Sequence, residues 1–175
     1  MADIERLPIY MVVENVRSLF NVGAIFRTAD GVCVTRIYLT GFTGCPPRKE
    51  IRRVALGAED VVPWTYCSST LEAIEDLHRQ GVQVVALEQA ETSVDFRCFP
   101  YRLPVGFVVG HEVDGVRSET IEACDGIVQI PMLGHKVSLN VSVASGVMCY
   151  ELLRVAQNRH LGADYDGGES DTDAH

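Results

Sequence analysis

The stretch Ile130–Ala144, IPMLGHKVSLNVSVA, decides the reading of this chain. It leaves an apolar strand, crosses a polar loop containing Gly134, and enters a helix rich in small and β-branched residues. Ser138, Leu139 and Asn140 stand between two hydrophobic elements. Polar groups in such a place are costly unless paired, so they hold either a ligand or a tightly turned backbone.

Outward from that stretch, strands and helices alternate. Ile9–Val13, Arg36–Thr40, Val61–Thr65, Val82–Leu87, Val105–Val109 and Ile127–Ile130 read as strands. The near-continuous apolar character of Val82–Leu87 and Val105–Val109 is that of strands covered on both faces, as in parallel sheets. Val22–Ala29 has helical spacing with Asn21 as its expected N-cap. The loop GFTGCPP, Gly41–Pro47, continues neither element, and a short basic helix is expected over Lys49–Ala55. Ser69 opens a capping-box pattern ahead of a helix Leu71–Gln80 closed by Gly81. Val116–Ala123 is a short helix. Asn140–Asn158 is the longest, with Val143, Val147, Tyr150 and Leu153 or Val155 expected to face the core. The expected fold class is α/β, with a mainly parallel sheet flanked by helices.

The chain has 175 residues, enough for one domain with its own core, expected over residues 1–160. Residues 161–175 are expected to be an acidic, disordered tail, on the evidence of DYDGGESDTDAH. No apolar run reaches the length of a membrane span, and no charged-then-apolar leader opens the sequence, so a cytoplasmic location is expected. The six cysteines, Cys33, Cys45, Cys67, Cys98, Cys124 and Cys149, show no metal spacing and read as reduced thiols, with no metal expected. The net charge of −9 argues against a nucleic-acid partner. Five acids and no Lys or Arg lie from Asp164 onward, however, so −9 becomes −4 for the remainder. Within that remainder Arg48, Lys49, Arg52 and Arg53 are clustered. Local field matters more than the sum.

Two further clusters carry chemistry. Asn15–Asp30, NVRSLFNVGAIFRTAD, places Asn21, Gly23 and Arg27 within two turns of a helix start. Taken alone, Arg27 is a solvated side chain and Asn21 a cap. Val108–Val116, VVGHEVDGV, ends an apolar strand at Gly110, with Glu112 at its carboxyl end, where open parallel sheets place ligands. Taken alone, it is a Gly-rich turn capped by its own acids.

Together, in this order, the patterns N-x-G-x-x-x-R-T-A, G-x-E-x-x-G and I-P-M-x-G-x-x-x-S-L-N-V-S-V-A resemble the three motifs of the SpoU-type (TrmH family) RNA 2′-O-ribose methyltransferases of the SPOUT superfamily. The resemblance spans the chain apart from its acidic end. The second motif usually has Asn where His111 stands, and an imidazole can make similar hydrogen bonds. The resemblance implies a C-terminal deep trefoil knot, an exception to the rule against knots. It implies S-adenosylmethionine as cofactor, held at Leu87, Gly110, His111, Ile130, Ser138 and Leu139. It implies a homodimer whose active site is completed by the first-motif Arg of the second subunit, and a catalytic set of Arg27, Asn21, Glu112, Ser138 and Asn140, with Glu112 available to anchor Arg27 within the chain or across a subunit boundary. The expected substrate is the ribose 2′-hydroxyl of a structured RNA, transfer RNA ahead of ribosomal RNA. Arg17, Arg48, Lys49, Arg52 and Arg53 are the expected phosphate contacts. The alternative is a non-catalytic RNA-binding or assembly protein that keeps the fold. A nucleotide-dependent oxidoreductase is disfavoured, because no strand is followed by G-x-G-x-x-G.

Overall fold

The computed structural model describes residues 4–163. Seven strands form one sheet in the order β3-β2-β1-β6-β4-β7-β5, and every pairing is parallel. They are β1 (Leu7–Glu14), β2 (Val34–Thr40), β3 (Trp64–Cys67), β4 (Gln83–Leu87), β5 (Val94–Asp95), β6 (Val105–Val109) and β7 (Gly126–Gln129). The helices are α1 (Leu19–Val32), α2 (Lys49–Ala55), α3 (Ala58–Val61), α4 (Thr70–Arg79), α5 (Ser118–Ala123) and α6 (Val141–Ala163).

The side-chain alternation of a strand distributes the core to both faces of the sheet. Met11, Val13, Ile37, Leu39, Val85, Phe107 and Val109 join α1, α2 and α6 on one face. Val12, Tyr38, Val84, Ala86 and Val108 join α4 and the end of α5 on the other. All five residues of β6 are buried, as its unbroken apolar run requires.

β7 lies between β4 and β5, two strands consecutive in sequence. The chain after α5 therefore returns into a slot bounded by its own earlier crossover. The Glu88 amide bonds the Val128 carbonyl at 2.9 Å, and the Gln89 side chain bonds the Ile130 carbonyl at 2.9 Å. A return of this kind is what a threaded C-terminal part needs.

Several sequence expectations are corrected. Ser18, rather than Asn21, caps α1: its hydroxyl accepts from the Asn21 amide. Ser69 stands at the start of α4 but makes no side-chain cap bond. Instead its neighbour Thr70 shares a 2.6 Å hydroxyl bond with Thr40 of β2. The third strand begins at Trp64, beyond Pro63, while Ala58–Val61 makes one turn of helix. β5 has only two residues and carries no sequence signal. On α6, Val143, Val147 and Tyr150 are exposed, and the core face is Ser145, Met148, Cys149, Leu152 and Ala156. A helix apolar on more than one side does not announce which side is buried. α6 runs to Ala163, into the span expected as tail, and residues 164–175 lie outside the described residues.

The six cysteines are free. Burial pushes the Cys124 and Cys149 thiols up to about 12, which keeps both neutral.

α1 and α2 cross at Gly23, where an added Cβ would meet the Ile51 carbonyl oxygen at 2.5 Å and Val54 Cβ at 3.0 Å. Gly23→Ala gains up to about 1 kcal/mol of helix propensity but overpacks a backbone contact, which costs about 1–3 kcal/mol. The collision wins, and urea unfolding should show a net loss of up to about 2 kcal/mol. A stabilised variant would refute the close crossing.

Candidate active site

The carboxyl ends of β4, β6 and β7 open into one cavity of about 160 Å³. Strand ends supply Leu87, Val109, Gly110, Gln129 and Ile130, and the segment after β7 adds Met132, Ser138 and Leu139. Val141 and Ala144, from the first turn of α6, complete that side. Every residue expected to hold a cofactor (Leu87, Gly110, His111, Ile130, Ser138, Leu139) lines this cavity. Aliphatic side chains (Leu87, Val109, Ile130, Met132, Leu139, Val141) share the walls with Gln89, Gln129 and Ser138, and the rim carries the carboxylates Glu88, Glu112 and Asp114.

The turn 110–116 forms the outer wall, and its shape follows from its side chains. A Cβ at Gly110 would lie 2.3 Å from the Gly115 carbonyl carbon, so only glycine lets the two limbs close. Gly115 has φ +70, and a Cβ there would strike the Glu88 carboxylate. Glu88 accepts from the Val116 amide at 2.8 Å, tying the turn to the end of β4.

His111 Nδ1 accepts from the amides of Val113 (3.2 Å) and Asp114 (3.1 Å). An Asn carbonyl would close the same turn in the same way, which explains how imidazole stands where the motif usually has an amide. Nδ1 also lies 3.3 Å from the Asp114 carboxylate. Two amides can only donate, so Nδ1 is an acceptor with the proton on Nε2, and the contact with Asp114 is not an ion pair.

Glu112 reaches out of the turn to the start of α1. One oxygen accepts from the Arg17 amide (3.0 Å) and the other from the Ser18 amide (2.9 Å) and the Asn21 side chain (3.1 Å). Asn21 in turn accepts from the Asn140 side chain at 3.3 Å. Asn140 caps α6, its Oδ1 accepting from the Ser142 amide (2.8 Å), the Val143 amide (3.4 Å) and the Ser142 hydroxyl (2.6 Å). One chain of hydrogen bonds thus joins the three sequence motifs. Both Glu112 oxygens are taken by α1, so Glu112 does not anchor Arg27 within the chain.

Arg27 is exposed on α1, outside the cavity, with no hydrogen bond or ion pair among the described residues. Arg17 lies beside Ser18, His111, Glu112 and Val113 around a second, more open cavity that shares the 111–113 wall. Arg48, Lys49, Arg52 and Arg53 are exposed on and before α2. Arg52 lies 3.9 Å from Glu59 and 3.8 Å from Asp60, so part of its charge is already answered.

Two residues at strand ends escaped the sequence reading. Glu88 is one. Glu14, at the end of β1, is 1% exposed and accepts from the Arg117 amide and the Thr120 hydroxyl, fixing the start of α5. Acids just after apolar strands were the available signal. Among the described residues no group of three or more His, Cys, Asp or Glu side chains could hold a metal, and no helix is long and apolar enough to cross a membrane.

Comparison with known proteins gives a consistent picture. The sequence profile of the SpoU rRNA Methylase family matches residues 8–150. The chain is 35% identical over 153 residues to the 23S rRNA (guanosine-2′-O-)-methyltransferase RlmB of Xanthomonas axonopodis pv. citri, covering 87% of this chain and 59% of the relative. It therefore spans about three-fifths of the length of such curated relatives. The crystal structure of the A. aeolicus TrmH/SpoU tRNA modifying enzyme matches with a TM-score of 0.81 and 30% identity, covering 94% of this chain and 83% of that one. That of the AdoMet-bound rRNA methyltransferase from Sinorhizobium meliloti matches with a TM-score of 0.75 and 32% identity, covering 84% and 56%. The fold class, with its knotted C-terminal part, is that of these SpoU-type neighbours.

Burial raises the Glu112 carboxyl, but the amides of Ser18, Arg17 and Asn21 outweigh it, and the net shift is downward from 4.5. A lowered pKa contributes stability above the unfolded value, which is lost as pH falls through the folded one. Glu112→Gln should therefore be less stable than wild type at neutral pH, with the gap closing below about pH 4.5. Paired thermal melts across pH 3–7 (roughly the span of carboxylate titration) check this; a pH-independent gap would contradict it.

Proposed function

The chain belongs to the SpoU rRNA methylase family, and from that premise we propose that it transfers methyl from S-adenosylmethionine to a ribose 2′-hydroxyl of structured RNA. The observation that carries the reading is the junction Glu112–Asn21–Asn140, which sets a polar ledge beside a cavity lined by both aliphatic and polar side chains. One side suits an adenosyl cofactor and the other a ribose.

The residues fit that cofactor. Leu87, Ile130 and Leu139 offer aliphatic walls for an adenine ring. Gly110 and Ile130, which also line the cavity, offer their backbone for further contacts. The rim carboxylates Glu88, Glu112 and Asp114 favour a cation. S-adenosylmethionine, when bound, supplies a methyl group on a cationic sulfur, and the transfer requires no metal.

The acceptor hydroxyl is a weak nucleophile, so the protein must orient it and stabilise the charge that develops on its oxygen. Asn21 and Asn140 supply hydrogen-bonding groups at the ledge, Ser138 adds a hydroxyl from the cavity lining, and Glu112 holds Asn21 in place. A guanidinium stays charged in proteins, so Arg27 acts as donor to the ribose oxygen or its phosphate rather than as base.

Arg27 lies outside its own chain's cavity, and a second subunit brings it to the reaction. Phe20, Val143, Val147 and Tyr150 are exposed on α1 and α6, with the Tyr150 hydroxyl close over Gly31. This apolar face supports a homodimer that pairs the two helices of each chain.

The relatives divide on the RNA. The A. aeolicus structure is named for tRNA and is covered over 83% of its length, whereas the 23S rRNA relative is covered over 59%. Transfer RNA, the RNA named for the A. aeolicus structure, is the first candidate, and ribosomal RNA the second. The alternative, a non-catalytic RNA-binding protein, draws on the acidic net charge and on His111 in place of Asn; the turn kept by His111 Nδ1 weakens the second of these.

Tritium transfer from labelled S-adenosylmethionine into total RNA of cells lacking the protein tests the reading. Label should enter one RNA size class as 2′-O-methylnucleoside. Arg27→Ala should abolish transfer while leaving cofactor affinity within about threefold, a change below 1 kcal/mol. A variant with near-normal turnover would remove Arg27 from the mechanism, and an inert wild type that binds no cofactor would overturn the reading.

A further inference from the structure

Resting on the proposed RNA methyltransferase reading, we propose that Phe42 is a stacking platform for the base of the acceptor nucleotide, and so a specificity-determining residue. Phe42 stands two residues beyond the end of β2, on the edge of the sheet where the cavity opens. It is 62% exposed.

An exposed phenylalanine is unremarkable by itself. This one is held in position from both sides. Its amide donates to the Asn15 side chain at 3.1 Å, and Asn15 itself has φ +52. Gly41 has φ +62, and a Cβ there would collide with the Asn15 side-chain oxygen. The Gly41 carbonyl accepts from the Tyr66 hydroxyl at 3.0 Å. The buried Thr43 hydroxyl donates to the Val13 carbonyl (2.9 Å) and accepts from the Val16 amide (3.0 Å). All of this fixes the backbone, and none of it covers the ring.

The ring and the His111 imidazole form a T-shaped pair, with centroids 5.9 Å apart and planes at 77°. His111, Glu112 and Val113 are the wall common to the donor cavity and the second cavity that Arg17 borders. Val113 is 86% exposed on that wall. A flat aromatic face, an exposed aliphatic neighbour, an imidazole and a cation therefore converge beside the ledge proposed for the ribose. Proteins that take single nucleotides out of an RNA helix hold the base on aromatic rings and the backbone on cations. With the ribose at Asn21 and the phosphate at Arg17, the base falls toward Phe42. Stacking tolerates every base, so the platform selects unpaired acceptor nucleotides over paired ones.

The test compares wild type with Phe42→Ala, Phe42→Leu and Phe42→Tyr in tritium transfer from S-adenosylmethionine to total RNA of cells lacking the protein. Phe42→Ala should raise KM for RNA roughly 5- to 100-fold, the range of one lost base stack, with kcat nearly kept at saturation. Phe42→Tyr should restore KM and Phe42→Leu should not, because leucine keeps the bulk but has no π face. Calorimetric affinity for S-adenosylmethionine and the sedimentation coefficient should not change. An unchanged KM in Phe42→Ala, rescue by leucine, or loss of cofactor binding or of subunit association would each overturn the platform while leaving the methyltransferase reading intact. A wild-type protein that transfers no tritium would overturn both.

Discussion

A single carboxylate, Glu112, holds the active region together. It leaves a turn at the end of β6 and takes three donors at the start of α1, the amides of Arg17 and of the cap Ser18 and the Asn21 side chain, at 2.9 to 3.1 Å. Asn21 passes that restraint to Asn140, which caps α6. Two segments lying 91 and 119 residues beyond Asn21 are thereby held in one register with α1. Backbone donors at a helix start are otherwise unsatisfied, so an anion there is favoured both by hydrogen bonding and by the helix dipole. Without Glu112, the cavity wall and the polar ledge would lose their common reference.

The same device recurs along the carboxyl edge of the sheet. Glu14 ends β1 and fixes the start of α5; Glu88 follows β4 and fixes the 110–116 turn. Each acid sits where a strand stops and accepts from amides of the element it positions. Acids at the mouth of a parallel sheet invite a catalytic reading, yet both Glu112 oxygens are committed to structure. What remains free for chemistry is hydrogen-bonding edge, an exposed guanidinium at Arg27, and the rim's net negative field. That inventory suits a reaction governed by orientation and charge rather than by a strong base.

Much of this was legible in the sequence, for identifiable reasons. Val105–Val109 is read without error because a strand buried on both faces has no polar residue to blur its ends. Lys49–Ala55 is bounded by Pro47 and by Leu56 in the left-handed region, and it too is read correctly. α6 was misread on its buried side because its apolar residues are spread around the helix, leaving Val143, Val147 and Tyr150 outside. Asn21 looked like a cap because its residue type suits that role, but Ser18 lies one turn nearer the strand and takes it. The lining of the cavity was legible only through the motifs, since residues as far apart as Leu87 and Leu139 meet there through topology. Glu14 and Glu88 were passed over because an acid after an apolar run is also what a surface loop looks like.

The central claim is that the carboxyl ends of β4, β6 and β7 form one cofactor site whose wall depends on Gly110. Calorimetric titration of the chain with S-adenosylmethionine tests it directly, with Gly110→Val as the paired variant and circular dichroism as the check on folding. We expect one saturable site per chain in wild type, and at least roughly tenfold weaker binding in the variant, a loss of 1.4 kcal/mol or more. A folded Gly110→Val protein that binds the cofactor as well as wild type does, or a wild type that binds none, would contradict it.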